Sequence, residues 1–378
     1  MLRTLAIENY RSLRRLVVPL GRLNVVTGGN GAGKSSLYRS LLLLADASRN
    51  GIVAALAREG GLRSALWAGE REALRGKTLP VSLRLGFADD ELSYCIDLGL
   101  PTPKSLAFEL DPEIKRECIW TGPLLKPSAL LVDRNRALVR ARDANGAWSE
   151  VSHGLRSYDT VLGELADPAR TPEVIRVRDQ MRAWRFYDQL RTDSAAAARR
   201  PAVGTTTPVL SGDGSDLASA LATIKFLGET RIHEAIERAF PGASLVIDDR
   251  DGWVEVGLQQ RALGRPLRAS ELSDGTLRYL LWVAALLTPR PPELLVLNEP
   301  ETSLHPDLLV PLGQLISDAS EATQVIVVTH SQQLIDALSA TQSAGESPHM
   351  IGLVKQYDET HLHGQERLDE PPWKWPSR

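Results

Sequence analysis

Cysteine is nearly missing from this chain: two residues, Cys95 and Cys118, occur among 378. They are too far apart for a CxxC site, which excludes a disulfide framework or cysteine-held metal and fits a reducing compartment, the cytoplasm by default. Lysine is scarce as well, supplying eight of 44 basic residues; genome composition explains that as readily as guanidinium chemistry. Net positive charge is lacking, with a formal charge of -3 and a pI near 6.2. No global field draws in nucleic acid or an anionic membrane, so any DNA contact needs a local patch.

Long hydrophobic runs are missing too. The opening stretch "MLRTLAIENYRSLRRLVVPL" alternates apolar and polar residues and has no continuous apolar core, so it does not read as a signal peptide. The apolar run "LRYLLWVAALLTP" stops at Pro289, too short to span a bilayer. A soluble protein without a membrane partner is expected. Internal repeats, heptads and low-complexity tracts are also missing. What remains, 43% hydrophobic residues over this length, can build a substantial core.

The order of segments points to an α/β fold. "TLAIENY" and "RLVVPL" read as paired strands, and "RLNVVTG" as a buried strand before a helix from about Lys34 to Ala47. Residues 80 to 100 alternate around Asp89-Asp90, and strand-like pieces continue to about residue 154, which predicts an antiparallel meander. "VIRVRDQMRAWRFYDQL" has helical spacing, and residues 191–216 are rich in Pro, Gly, Ser and Thr. "DLASALATIKFLGETRIHEAIERAFPG" reads as an amphipathic helix, and "ASLVIDDRDGWVEVGLQQ" as a hairpin. A serine-capped helix from "LSDGT" follows, then two buried strands, "LLVLN" and "QVIVV", and a last hairpin from Met350. The expected division is one nucleotide-binding lobe, residues 1–155 and 290–378, and a smaller helical lobe, residues 156–289.

The chemistry starts at "VVTGGNGAGKSSLYRSLLLL". Gly28, Asn30, Gly31, Ala32, Gly33, Lys34, Ser35 and Ser36 fit a phosphate-binding loop between a strand and a helix. Polyphosphate is best held by converging backbone N–H groups at a helix N-terminus, which needs glycine where a Cβ would obstruct. Lys34 would reach the β and γ phosphates of ATP, and the Ser35 hydroxyl would ligate Mg²⁺. Glu299, at the end of "LLVLN", can orient an attacking water, and His330, after "VIVVT", can donate to the γ-phosphate. Ser273, Asp274 and Gly275 open a helix about 25 residues upstream of Glu299. On their own they are a helix cap.

In this order the motifs resemble the ABC-type ATPase heads of the SMC, RecF and OLD group, closest to the stand-alone bacterial RecF-like predicted ATPases of the AAA family. The resemblance runs from "IENYRSLRRL" to "VVTHSQQL" and includes "WRFYD", "TPVLSGDGSDLASAL" and "LNEPETSLHP". It implies a P-loop NTPase fold with a RecA-like lobe, a β-meander and a helical lobe. It implies Walker A at Gly28 to Ser36, a signature at Ser273, Asp274 and Gly275, a catalytic base at Glu299, a D-loop at Ser303 to His305 and a switch histidine at His330. It also implies that two heads face each other in an ATP-dependent homodimer, the signature of one closing on ATP held by the other. Tyr10, Arg11 and Ser12 match the "FRS" or "YRS" of these heads, where the arginine approaches the phosphates; an exposed turn is the other reading.

Two departures stand out. The usual Walker B ends in two acids, and the first is here Asn298. A neutral acceptor of a hydrogen bond from Mg²⁺-bound water should cost about 1 to 2 kcal/mol relative to a charged one, roughly tenfold in Mg²⁺ affinity. Slow hydrolysis is therefore expected. The glutamine loop finds no match, since Gln180 and Gln189 only flank "WRFYD". Trp184, Phe186 and Tyr187 read as core on a helix, and the arginines of "RSLRR" and "AAAARRPAV" as solvated or as phosphate contacts. The chain has no heptad arm or CxxC hook, and the 48 residues after His330 are too few for an OLD-type nuclease domain. The resemblance thus implies an ATP-gated switch in DNA maintenance or phage defence, with a separate effector protein and possibly DNA as partners. Its rivals are a non-hydrolysing scaffold and a transporter subunit, against which "LSDGT" lacks the usual glutamine.

Overall fold

The computed structural model describes residues 1–49, 51–69, 81–101, 111–341, 347–365 and 369–378. They fall into two compact units, one of residues 1–21, 26–184 and 350–378, the other of 22–25 and 185–349.

In the first unit, β1 (Leu2–Tyr10) and β2 (Leu13–Pro19) pair antiparallel, as their alternation predicts. β3 (Leu23–Gly28) starts in the other unit and ends here, delivering the chain through a glycine turn into α1 (Lys34–Ala47). Two short helices, α2 (Ile52–Arg58) and α3 (Leu62–Ala65), lead to the meander: β4 (Leu83–Asp89), β5 (Leu92–Gly99), β6 (Glu113–Thr121), β7 (Leu130–Asn135), β8 (Leu138–Arg142) and β9 (Trp148–Ser152). With β1 and β2 these form one eight-stranded antiparallel sheet in the order β2-β1-β4-β5-β6-β7-β8-β9. The helices α4 (Val161–Glu164) and α5 (Pro172–Ala183) follow.

Each face of this sheet is closed by aromatic residues. On one face Phe87 meets Trp184 edge-on at 5.3 Å. On the other, Cys95 stands directly opposite Cys118, and both are buried free thiols beside Trp120. The C-terminal residues cover them: Trp373 packs on Trp120 at 5.7 Å and Trp375 on Trp373 at 5.1 Å. Arg378 completes the strap with two bonds to the buried Asp97 carboxylate, at 2.6 and 2.7 Å. A final hairpin, β17 (His349–Gln356) and β18 (Glu359–Leu362), comes before it.

The second unit holds parallel strands. β10 (Arg185–Tyr187) pairs with β15 (Leu294–Asn298), which pairs with β16 (Gln324–Val328). β3 enters beside β16, where the buried Asn24 amide donates to Val325 O at 3.1 Å. All but the last residue of β15 and all of β16 are buried, which is why both read as continuous apolar runs. The rest comprises β11 (Ala202–Val203), α6 (Leu217–Phe226), α7 (Arg231–Ala239), the hairpin β12 (Ala243–Arg250) and β13 (Trp253–Gln260), β14 (Leu267–Arg268), α8 (Asp274–Leu286), α9 (Leu309–Ser320) and α10 (Gln332–Ala340).

Two expectations are corrected. "WRFYD" is not helical: α5 stops at Ala183, Trp184 turns extended, and Arg185–Tyr187 is a strand. Pairing with the exposed edge of β15 outweighs helical spacing there, although Trp184 and Tyr187 are buried core as expected. The helix expected over residues 216–242 is two, because Gly228 at φ 79° breaks it.

A buried ion pair pins the meander. Glu117 and Arg134 are both fully buried, with the Arg134 Nη1 to Glu117 Oε2 distance 3.1 Å. Glu117 also accepts from Tyr94 Oη and Val161 N. Burial pushes its carboxyl above the ordinary value near 4.5, against the pull of Arg134. Arg134→Met should cost about 3–5 kcal/mol in chemical denaturation, since a buried charge loses its partner. Without Arg134 the folded pKa rises further, so this deficit should be smallest below about pH 4.5 and grow as pH rises. Adding Glu117→Gln should remove that pH dependence.

Candidate functional site

In the first unit, the loop of residues 28–33 and the start of α1 form the candidate phosphate site. Gly28 is required by a close approach: a Cβ there would lie 2.5 Å from Leu353 O. Gly33 is required twice over, by φ +108° and because a Cβ would lie 2.4 Å from Thr360 Oγ1. Nothing stands within 4 Å of a Cβ placed at Gly29 or Gly31, so that side of the loop is open. Asn30, Gly31 and Ser35 are exposed, whereas Ala32 is buried and Ser36 half-buried. The N-cap position, Gly33, contributes no side chain, so the first turn of α1 keeps free N–H donors. Lys34 is buried, and its Nζ donates to the carbonyls of Gly28 at 2.6 Å and Gly29 at 3.2 Å.

Backbone donors at a helix N-terminus beside a cation held on neutral carbonyls fit a polyphosphate. Ser35 is the residue here that could hold Mg²⁺. Among the described residues no group of three or more His, Cys, Asp or Glu could cage a metal ion. A Mg²⁺ held by phosphates, waters and one hydroxyl matches that chemistry.

The structure brings Ser12 to this loop: its Oγ lies 3.4 Å from Ser36 Oγ and accepts from Thr360 Oγ1 at 2.9 Å. Thr360 is a neighbour that sequence reasoning missed, since its position in the last hairpin carries no local signal. Arg11 is placed otherwise. Its guanidinium pairs with Glu59 at 2.9 Å, alongside the Tyr10 hydroxyl, which donates to the same carboxylate.

The second unit assembles the remaining candidates. β15 ends at Asn298, and Glu299 then takes the left-handed conformation, φ 48°, held by its N–H on Val328 O at 2.8 Å. That strain on a non-glycine residue turns the chain at the strand end, as functional sites often do. His330 follows β16, its Nδ1 3.8 Å from Glu299 Oε1 and 3.3 Å from Glu301 Oε1. Glu301 was missed by sequence reasoning, masked by the stronger signal of Glu299 two residues earlier.

The signature is a helix start as read: Ser273 Oγ caps α8, accepting from Thr276 N at 3.2 Å. Arg199, from the "AAAARRPAV" cluster, turns out neither solvated nor free. It is nearly buried and donates to Leu272 O and Ala269 O while pairing with Asp274, bracing the segment from behind. Gly275 lies against the D-loop, where a Cβ would be 3.2 Å from Ser303 O. Within the same chain, Asp274 and Arg278 share an open cleft of about 400 Å³ with Asn298, Glu299 and Thr302. Arg278 makes no hydrogen bond or ion pair among the described residues, and its Nε is buried. Desolvation holds its guanidinium below the ordinary value, which the Asp274 charge partly offsets.

Comparison with known proteins gives the class. A family model described as AAA domain, putative AbiEii toxin, Type IV TA system, matches residues 23–336, and the chain belongs to that family. An Smc head bound to the C-terminal winged-helix domain of ScpA is similar over 96% of both chains, at 14% identity and TM-score 0.50. An Smc head with extended coiled coil from Pyrococcus furiosus is 12% identical over 96% of this chain and 95% of that one, TM-score 0.49. The SMC head of Thermotoga maritima is 13% identical over 97% and 99%, TM-score 0.43. No curated protein matches significantly. The fold is that of a P-loop NTPase, an ABC-type ATPase head of the SMC and RecF group. Among the described residues no helix is long and apolar enough to cross a membrane.

Gly33→Ala should leave the protein folded by circular dichroism while weakening ATP binding by roughly 5- to 150-fold by calorimetry, because strain of about 1–3 kcal/mol falls on the loop itself.

Proposed function

We propose that this protein binds ATP with Mg²⁺ and hydrolyses it slowly, as a switch that closes head to head on a second copy of itself. The observation that carries this reading is the start of α1, an uncapped helix N-terminus behind an open glycine loop, with Lys34 tied, among the described residues, to carbonyl oxygens. Lys34 and the loop amides would bind the phosphates, and Ser35 would hold Mg²⁺, which supplies charge neutralisation on them. Glu299 would orient the attacking water, and His330 would donate toward the γ-phosphate. Ser273, Asp274 and Gly275 of one copy would meet nucleotide held by the other, presenting the donors of α8 to a γ-phosphate that hydrolysis removes.

The family description, a putative toxin of a type IV toxin–antitoxin system, supports a defence setting with a separate effector or antitoxin over DNA repair. The Smc head structure at TM-score 0.50, bound to a domain of ScpA, supports a protein partner docking on a head of this fold. DNA remains a candidate ligand for the turnover assay to examine.

Purified protein with Mg²⁺ should turn ATP over, and Glu299→Gln should abolish turnover while sparing ATP binding. Stimulation by duplex DNA would make DNA the leading partner; equal background rates in both proteins would turn the reading to a non-hydrolysing scaffold. Asn298→Asp should lower the Mg²⁺ concentration for half-maximal turnover by roughly tenfold, since the restored charge strengthens the hydrogen bond to metal-bound water by about 1–2 kcal/mol.

A further inference from the structure

Glu301 is a buried carboxylate with an unequal pair of oxygens. Its side chain is 8% exposed, two donors converge on Oε1, Thr329 Oγ1 at 2.7 Å and His330 N at 3.1 Å, and the His330 ring nitrogen Nδ1 lies 3.3 Å from the same oxygen. Oε2 is buried and has no hydrogen-bond partner among the described residues. Thr329 is itself fully buried and accepts from Ser331 N at 3.0 Å, so the hydroxyl aimed at Glu301 is fixed.

A neutral acceptor would tie the turn to Thr329 without leaving a desolvated oxygen unpaired. A carboxylate retained at that cost needs a partner that uses its charge, and His330 is the titratable side chain in contact with it. The ring nitrogen nearest to Glu301 is also the one nearest to Glu299, 3.3 against 3.8 Å. With its proton on Nε2, the ring would turn the Nδ1 lone pair toward two carboxylates. With the proton on Nδ1, one carboxylate receives it. Glu301 is the better placed, because its oxygen is buried and held by two other donors, while the Glu299 side chain is 44% exposed.

We infer that Glu301 is a positioning residue: it takes the Nδ1 proton of His330, turns Nε2 outward, and so keeps the imidazole off Glu299. Nε2 has no partner among the described residues and is the ring atom left for a ligand. Glu299 keeps its lone pairs for water. Loss of Glu301 would let the Nδ1 proton pass to Glu299, blocking the group that the ATPase reading makes the base. The inference rests on that reading for its catalytic consequence, but not for the proton position.

The proton position is tested first, on full-length protein carrying ¹⁵N-labelled histidine, with His330→Gln used to assign the ring signals. In Glu299→Ala, the ring should hold its proton on Nδ1, because Glu301 remains. In Glu299→Ala/Glu301→Leu it should move to Nε2; retention on Nδ1 would overturn the inference. The second arm is kinetic. Glu301→Leu should lower kcat at least about tenfold with the KM for ATP within about twofold, the pattern of a disabled general base. In a His330→Ala background the same substitution should change kcat less than about twofold, and an undiminished loss there would show that Glu301 does not act through the imidazole. Glu301→Met likewise removes the acceptor while keeping a side chain of similar length, so if Glu301→Leu fails to fold, Glu301→Met carries both arms with the same directions. Absence of turnover in the wild type would sink the ATPase reading and leave the nuclear magnetic resonance result to decide this one.

Discussion

The start of an α-helix leaves four backbone N–H groups without partners inside it, and most helices cover some of them with a side chain. At α1 the N-cap glycine supplies no side-chain cap, and the surroundings of the loop follow from that omission. The loop before the helix can stay open only if residues 28 and 33 lack a Cβ, since Leu353 O and Thr360 Oγ1 occupy the space. The final hairpin therefore dictates the glycines from more than 300 residues away. Lys34 is buried beside the loop, its ammonium resting on two neutral carbonyls. Under the proposed reading one anion would answer both the donors and the cation.

The second unit solves a different problem, how to keep two glutamates two residues apart from doing the same thing. Burial separates them. Glu301 is buried with two donors and the His330 ring nitrogen at one oxygen, whereas Glu299 stands half-exposed in a left-handed backbone conformation. The Trp282 indole donates to Pro300 O at 3.1 Å, so α8 holds the residue between them in place. The same helix begins at the signature and carries Arg278 into the cleft with Glu299. A shift at the Ser273 end of α8 would thus bear directly on the turn that positions both carboxylates.

Legibility followed the range of the forces involved. The strand, glycine turn and helix around α1, the capped start of α8, the hairpins and the buried strands were readable because glycine, a serine cap and apolar runs act within a few residues. β10 was misread because "RFY" takes its conformation from β15, far along the chain, and not from the helical spacing of its neighbours. Arg199 was misread for a similar reason. Its sequence context is that of a surface cluster, and only tertiary packing shows it bracing Leu272 and Asp274. Glu301 and Thr360 were invisible for want of any local pattern, since what distinguishes them is the company they keep in three dimensions.

Asn298 makes sense within the same electrostatic arrangement. An acid at that position would strengthen a metal site, yet it would also place a third carboxylate within four residues, beside Glu299 and above a Glu301 that already carries an unpaired buried oxygen. Like charges at such spacing disfavour one another, and the penalty grows as water is excluded. The nearby cations offer limited relief, because Arg199 is spent on Asp274 and Arg278 stands unpaired and partly desolvated across the cleft. An amide keeps the acceptor and adds no charge. Under the proposed reading, the trade would be a weaker hold on the metal for a less crowded pair of carboxylates.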